Sequence, residues 1–319
     1  MKVNVSMLAL KSARLKPLFL GQKDRKGLVE LISYYIVLFG IGFLFLYPVL
    51  YMIINSFMSP EDVVDPAITW IPTSIYFGNF IKAFKTLNFK ISFINSMVMS
   101  AVPALLQTAA SALIGYGLAR FSFPFKRLWM VLLLVTFIIP AQVTMIPRYI
   151  MFHNYRMINT PFTSFLPAAL GQGIKGAIFI LIFFQFFSSY PKSLDEAAEI
   201  DGAGRLKIFY KIAVPMAKPA IVVSILFSFV WYWNETVQAG LFFGSAIKTL
   251  PMKLGSFADT YKNLFTSGST SNLNMTVNAL NESISLAGTF LSILPLLILY
   301  LVLQKQFVES VEKSGITGE

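Results

Sequence analysis

Cysteine is absent from this 319-residue chain, and histidine occurs once, at His153. The first absence excludes disulfides and thiolate chemistry, and the second argues against a histidine-based metal site or catalytic triad. Charged residues are scarce, at 13% of the chain, where soluble domains have roughly 25%. A phosphate loop of the form Gly-x-x-x-x-Gly-Lys-Ser/Thr is also missing, so the chain cannot by itself bind and split ATP in that way.

Apolar residues take the place of the missing charges. They make up 56% of the chain, and the mean hydropathy is +0.67. They gather in six runs, at residues 31–57, 93–118, 128–147, 165–189, 216–240 and 284–303, and a helix of about 20 such residues crosses a bilayer. The composition therefore predicts an all-α integral membrane protein with six transmembrane helices and no separate soluble domain.

The net charge of +11 comes from 26 Lys and Arg against 15 Asp and Glu. The basic residues concentrate in residues 1–30, 120–127 and 191–219 and in the tail after 304, which the positive-inside rule assigns to the cytoplasm. Both the N- and C-termini are therefore predicted to be cytoplasmic. Membrane topology and anionic lipid explain the basicity, and no nucleic acid is needed as a partner.

This topology divides the chain into three parts. Residues 1–30 form a basic tail that can lie on the bilayer as an amphipathic helix, residues 31–304 form the transmembrane domain, and residues 305–319 form a cytoplasmic tail. The second span is rich in Ser, Ala and Gly, which let helices approach closely, so it is predicted to lie inside the helix bundle. The third span is predicted to be one helix despite Pro140 and Pro147.

The charged loop of residues 191–219 lies between two apolar runs and is predicted to form two short helices. Ser193 followed by Glu196 is a capping-box pattern that predicts where the first helix begins. Gly202 can take the backbone angles that end this helix, and Pro215 and Pro219 limit the second one. The second helix is predicted to have one apolar face, made of Leu206, Phe209, Ile212 and Ala213.

The first of these helices has the features of a docking surface. Its centre, Ala197-Ala198, allows another surface to approach closely, and Glu196, Glu199 and Asp201 supply charged edges. The alternative interpretation is an ordinary amphipathic cytoplasmic loop. The order and spacing of ten positions favour a specific role over that alternative; these are Glu196-Ala197-Ala198, Asp201-Gly202-Ala203, Phe209, Ile212, Pro215 and Pro219.

These ten positions resemble the EAA loop of ABC importer permeases. The resemblance implies a type I ABC importer permease fold in a prokaryotic plasma membrane, with the loop seated as a coupling helix on a separate ATPase subunit. The coupling residues would be Glu196, Ala197, Ala198, Asp201, Gly202 and Ala203. The Asp-Gly-Ala triplet is similar to that of the carbohydrate, maltose-type branch.

The same resemblance implies a set of partners. They are a second homologous permease subunit, two ATPase subunits, an extracellular solute-binding protein and a sugar or oligosaccharide as substrate. This chain would be a transport subunit rather than an enzyme and would carry no cofactor of its own, since ATP and magnesium would be bound by the partner ATPase.

The fifth span ends in a dense group of polar and aromatic side chains, Trp231, Trp233, Asn234 and Glu235. Aromatic rings stack on sugars and a carboxylate or amide bonds hydroxyls, so the group is a candidate substrate path, and a carboxylate in a span is a functional candidate by default. The alternative is structural, an interfacial aromatic belt. Lys175 has two similar interpretations, a side chain at the solute entrance or one that reaches the outer headgroups.

Other classes of transporter and enzyme fit the sequence less well. A secondary transporter driven by an ion gradient would need an ionisable relay across several spans and often has inverted repeats, neither of which the sequence displays. An importer for amino acids or phosphate is a closer alternative, against which the Asp-Gly-Ala triplet and the aromatic cluster argue. A membrane enzyme would need a His, Cys or acidic cluster in the spans.

Overall fold

The structure is a computed structural model that describes the backbone of residues 27–266 and 279–316, and within these residues all regular structure is helical. The basic tail predicted for residues 1–30 lies almost wholly outside the described residues. In chain order the helices are α1 (Leu28–Ser56), α2 (Pro60–Val64), α3 (Gly78–Thr86), α4 (Phe89–Arg120), α5 (Lys126–Ile138), α6 (Ala141–Asn154), α7 (Phe162–Ala169), α8 (Gly176–Ser189), α9 (Ser193–Ile200), α10 (Arg205–Met216), α11 (Lys218–Asn234), α12 (Val237–Phe243), α13 (Leu250–Gly255), α14 (Phe257–Tyr261) and α15 (Glu282–Ile316).

Three of these helices are long and apolar enough to cross a membrane as they stand: α1, α4 and the Glu282–Lys305 part of α15. Three bent pairs pass the same test together: α5 with α6, α8 with α9, and α10 with α11. The described residues therefore contain up to six candidate spans, by length and composition. The prediction of an all-α membrane protein is confirmed.

The predicted third span, residues 128–147, is not one helix. Helix α5 ends at Ile138, α6 begins at Ala141, and their axes differ by 99°. Ile139 is extended, with φ −65° and ψ 121°, because the ring of Pro140 disfavours helical angles in the residue before it. Pro147 remains inside α6.

The predicted fourth span, residues 165–189, is also interrupted. Helix α7 ends at Ala169 and α8 begins at Gly176, and the connection between them contains two residues with positive φ, Gly171 at 73° and Lys175 at 51°. Only glycine adopts such angles without strain, so the Lys175 backbone needs support from its surroundings.

One compact unit of the chain includes residues 27–79 and 281–287. Within it, α1 is apolar along its length and mostly exposed, as expected of a helix that faces lipid or another subunit. The loop after α1 is fixed by Asn79, whose amide donates to the Ser56 and Met58 carbonyls at 3.1 and 2.8 Å. Asp62 accepts bonds from the Thr73 amide and hydroxyl, and the hydroxyl bond in particular lowers the pKa of its carboxyl group.

The other unit includes residues 80–280 and contains the packed core around α4. Helix α4 lies between α8 and α11, and half of its apolar window is buried. Close approach to α8 depends on Gly115, since a β-carbon there would lie 2.6 Å from Phe183 Cβ and 2.8 Å from the Phe184 amide nitrogen. The small residues of the second span therefore let it pack inside the helix bundle, as predicted.

Candidate functional site

Helix α9 occupies the predicted position of the docking helix, and its two ends differ in how well they were predicted. The helix begins at Ser193, as predicted, but Lys192 occupies the N-cap position and no side chain caps the helix, so the capping box is not formed. At the other end, Gly202 has φ +78°, and its amide bonds the Glu199 carbonyl at 3.0 Å. The Ala203 amide bonds the Ala198 carbonyl at 2.9 Å. These bonds form a Schellman motif, which confirms glycine as the helix stop.

The whole of α9 lies at the surface of the chain, with none of its residues buried. Glu196 and Ala197 are exposed, and Ile200 is 86% exposed. In the next helix Leu206 is 70% exposed, so this member of the predicted apolar face does not pack within the described residues. Together these side chains form an apolar and acidic surface that the described part of the chain leaves exposed.

Helix α10 packs largely through the apolar face predicted for it, since Phe209 and Ala213 are buried and Ile212 is partly buried. Ile208, Phe209 and Ala213 are its buried residues, and the stretch Phe209–Ala213 is a π-helix, whose wider turn alters the spacing of side chains. Phe209 joins an aromatic cluster in which its ring lies 5.0 Å from that of Tyr116. The predicted limit at Pro219 is confirmed, because α10 and α11 meet there at 76°.

Three side chains join α9 to the end of α4, and we call Arg120, Tyr190 and Asp195 the Arg120 clamp. Arg120 Nε lies 3.3 Å from Asp195 Oδ2, and Arg120 Nη2 donates to the Tyr190 carbonyl at 2.8 Å. The guanidinium lies 3.6 Å from the centroid of the Tyr190 ring, and the Tyr190 hydroxyl donates to Asp195 Oδ1 at 2.7 Å. Burial, together with that hydrogen bond, raises the pKa of the Tyr190 phenol, so it stays a donor.

A second polar group, which we call the Gln107 seam, holds the break between α7 and α8. Gln107 Nε2 donates to the Ile174 carbonyl at 2.9 Å, and the Tyr232 hydroxyl donates to Gln107 Oε1 at 2.8 Å and accepts from the Ile174 amide at 3.1 Å. Both backbone groups of Ile174 are therefore satisfied. Irregular backbone at membrane depth requires such partners.

The predicted substrate-path residues fall into different environments. Lys175 Nζ lies 4.4 Å from the Trp231 ring centroid, in a cation–π contact. Trp233 is 2% exposed and stacks on Phe229. Asn234 donates to the carbonyl of Val230 in its own helix. The structure thus brings Lys175 and Trp231 together and places Trp233 in the core.

Glu235 and Lys175 both line a cavity of about 930 Å³. Glu235 Oε1 accepts a bond from the Gln238 amide at 2.9 Å, and Gln238 Oε1 accepts one from Arg148 at 3.4 Å. Further polar residues line this cavity: Thr136, Gln142, Thr144 and Gln172. Within the described residues, no group of three His, Asp or Glu is placed to hold a metal ion.

Comparison with known proteins decides the family. The family model for the inner membrane component of binding-protein-dependent transport systems matches residues 110–313. The chain belongs to this family. The matched residues include α8, α9 and the end of α4 that carries Arg120.

Individual relatives cover nearly the whole chain of this inner membrane component. A probable ABC transporter permease, YurM of Bacillus subtilis, is 28% identical over 92% of this chain and 91% of its own. The melibiose/raffinose/stachyose import permease MelC of Bacillus subtilis is 30% identical over 80% and 86%. The arabinooligosaccharide permease AraQ of Halalkalibacterium halodurans is 28% identical over 87% and 93%.

A solved structure supports the fold. A chain of a bacterial ABC transporter that imports the acidic polysaccharide alginate superposes with a TM-score of 0.70. It covers 86% of this chain and 95% of its own at 22% identity. The likeness confirms the predicted permease fold.

Sequence reasoning missed the residues that make the two polar groups of this inner membrane component. Arg120 and Tyr190 are 70 positions apart, and Gln107 and Tyr232 are 125 apart. Each carried one signal, namely a polar side chain within or at the end of an apolar run. That signal marks a residue as important without naming its partner.

Proposed function

We propose that this protein is the permease subunit of an ATP-driven ABC importer for sugars or oligosaccharides. Relatives that match most of the chain are named as permeases for melibiose, raffinose and stachyose or for arabinooligosaccharides. The Asp201-Gly202-Ala203 triplet supports the same solute class through its resemblance to maltose-type permeases. The permease would act with a second permease, two ATPase subunits that bind ATP and magnesium, and a solute-binding protein.

The exposed helix α9 is the observation that carries the coupling part of this proposal. A helix with no buried residue gains little from packing, and most helices in proteins are stabilised by such packing. An ATPase cleft that covers Glu196, Ala197 and Ile200 would supply it. Closure of the ATPase dimer would then displace α9 as a rigid lever and switch the permease pair between inward- and outward-facing states.

The cavity beside Glu235 supports a route for solute. It combines a carboxylate, a lysine held over Trp231, and several amides and hydroxyls. Sugars present many hydroxyls that both donate and accept, so a wall with both kinds of group suits them. Glu235 and Lys175 are our candidates for solute contact, and Trp231 orients Lys175.

Reconstituted transport tests the function and the route together. Proteoliposomes that hold the assembled complex should take up a labelled oligosaccharide such as raffinose only with ATP inside the compartment that contains the ATPases. Glu235→Gln should raise the KM for uptake about tenfold, the effect of losing one bond to a charged group. Glu30→Gln changes an exposed carboxylate in the first turn of α1 and should transport as the unmodified complex does.

Two results would count against the proposal. Uptake that continues without ATP and collapses with an ionophore would indicate an ion-coupled transporter. An unchanged KM in Glu235→Gln would remove Glu235 from the route while leaving the importer assignment in place.

A further inference from the structure

The Arg120 clamp lies where the end of α4, the end of α8 and the start of α9 meet. Arg120 is the last residue of α4, Tyr190 follows α8, and Asp195 is in the first turn of α9. In this way the first turn of an exposed helix is tied by side chains to the end of a deeply packed one. The helix that would meet the ATPase is thus connected to the core beside the Gln107 seam.

The chemistry of the clamp favours one fixed arrangement. Arg120 is 4% exposed and Asp195 17% exposed, and an ion pair shielded from water is screened little. A guanidinium is planar and can stack on a ring while its nitrogens bond in plane, which lysine cannot do. Arg120 uses both modes at once, on the ring and carbonyl of Tyr190.

The bond from Tyr190 to Asp195 closes the group into a triangle. Each member contacts the other two, so a shift of α9 relative to α4 would break the Arg120–Asp195 pair and could not leave Tyr190 in contact with both partners as it is now. The bend of 73° between α8 and α9 is fixed at the same place, since Tyr190 lies within it. Such groups behave as a unit, with effects that do not add.

We propose that the Arg120 clamp makes α9 and the cytoplasmic end of α4 one rigid body, so that a push on α9 reaches the helices around the solute route. Arg120, Tyr190 and Asp195 are positioning residues for transport, and none of them touches solute. This inference rests on the proposed function, because it presumes an ATPase that pushes α9. Loss of the clamp would let α9 move without α4, and ATP would be hydrolysed without uptake.

The first experiment compares ATP hydrolysis with solute uptake in the reconstituted complex. Asp195→Asn should leave the ATPase subunits bound and active but raise the ATP consumed per solute about tenfold, as expected for loss of a charge-assisted contact. Tyr190→Phe keeps the ring and removes only the hydroxyl bond, and it should have a smaller effect in the same direction. The double variant should be no worse than Asp195→Asn alone, because the group acts as a unit.

The second experiment replaces the contact between Arg120 and Asp195 with a covalent cross-link. Because the chain has no native cysteine, Arg120→Cys with Asp195→Cys places a single thiol pair in it. This double variant should be uncoupled, and a short bismaleimide bridge between the two thiols should restore uptake per ATP. Either single cysteine variant treated with the same reagent should stay uncoupled.

Each outcome is decisive. If the clamp only stabilises the fold, its loss would lower the yield of assembled complex. The complexes that do assemble would then consume the normal amount of ATP per solute, and this result would contradict the proposal. Normal coupling in Asp195→Asn, or continued uncoupling after the bridge forms, would overturn the proposal. Where Asp195→Asn fails to assemble, Tyr190→Phe gives the decision. An unmodified complex without ATP-dependent uptake would instead refute the proposed function.

Discussion

The packed faces of α4 and the surface of α9 are both built with small residues, yet they use them in opposite ways. In α4 the small residues let α8 and α11 approach, and Ser111 and Ala112 are buried. In α9 Ala197 is exposed, and no part of the chain that the structure describes buries it. Small residues therefore mark a surface that something approaches closely, and the surrounding charge indicates whether that partner belongs to the same chain.

The contrast has an energetic consequence. A change in the packed region must be absorbed by fixed neighbours, since protein interiors are close-packed. A change at an exposed position of α9, such as Glu196 or Ala197, displaces no buried side chain of that helix. Stability should therefore depend on the first region, and coupling to the ATPase on the second.

Gly115→Val should give the largest loss of stability. Its branched side chain would meet Phe183 and the backbone of Phe184, at 2.6 and 2.8 Å from the β-carbon, and overpacking at this level costs about 3 kcal/mol. The loss of stability is measured as a lower thermal unfolding midpoint of the purified complex. Gly117→Val is the matched control, because nothing lies within 4 Å of a β-carbon there. Equal midpoints for the two variants would contradict the close approach of α4 and α8.

Gln107→Leu should have the next largest effect. It leaves the Ile174 carbonyl without its side-chain donor and the Tyr232 hydroxyl without its acceptor, and an unsatisfied buried polar group costs about 2 kcal/mol. The same thermal measurement checks it. Gln142→Leu makes the same change at an exposed amide of α6 and should leave the midpoint unaltered. A harmless Gln107→Leu would show that the break at Ile174 does not depend on the seam.

The general architecture followed from the sequence because its causes are local. Long apolar runs, the small residues of the second span and the glycine stop at Gly202 all act within a few residues of where they stand. Pro140 shows the limit of this reasoning. Its effect on Ile139 is local and predictable, but the 99° bend also depends on how the next helix packs.

The candidate site was predicted less completely, and for a physical reason. Hydropathy and periodicity report whether a side chain prefers water or apolar surroundings, and they carry no information on which distant residue it meets. Asp195 lies in the acidic first turn of α9, and nothing in its local pattern indicates that Arg120 and Tyr190 hold its carboxylate. Leu206 was assigned to the apolar face of its helix by its spacing from Phe209 and Ala213, and the structure leaves it 70% exposed while those two residues are buried.

The central claim is that α9 passes the motion of an ATPase to the membrane helices, and Glu196→Lys tests it most directly. Glu196 is exposed, on a helix with no buried residue, so the thermal midpoint should match that of the unmodified complex. The reversed charge should cost at least tenfold in solute taken up per ATP hydrolysed, about the effect of a like-charge contact at an interface. Glu30→Lys, an equal change at an exposed carboxylate outside α9, should transport normally. Unimpaired uptake per ATP in the reconstituted Glu196→Lys complex would contradict the account.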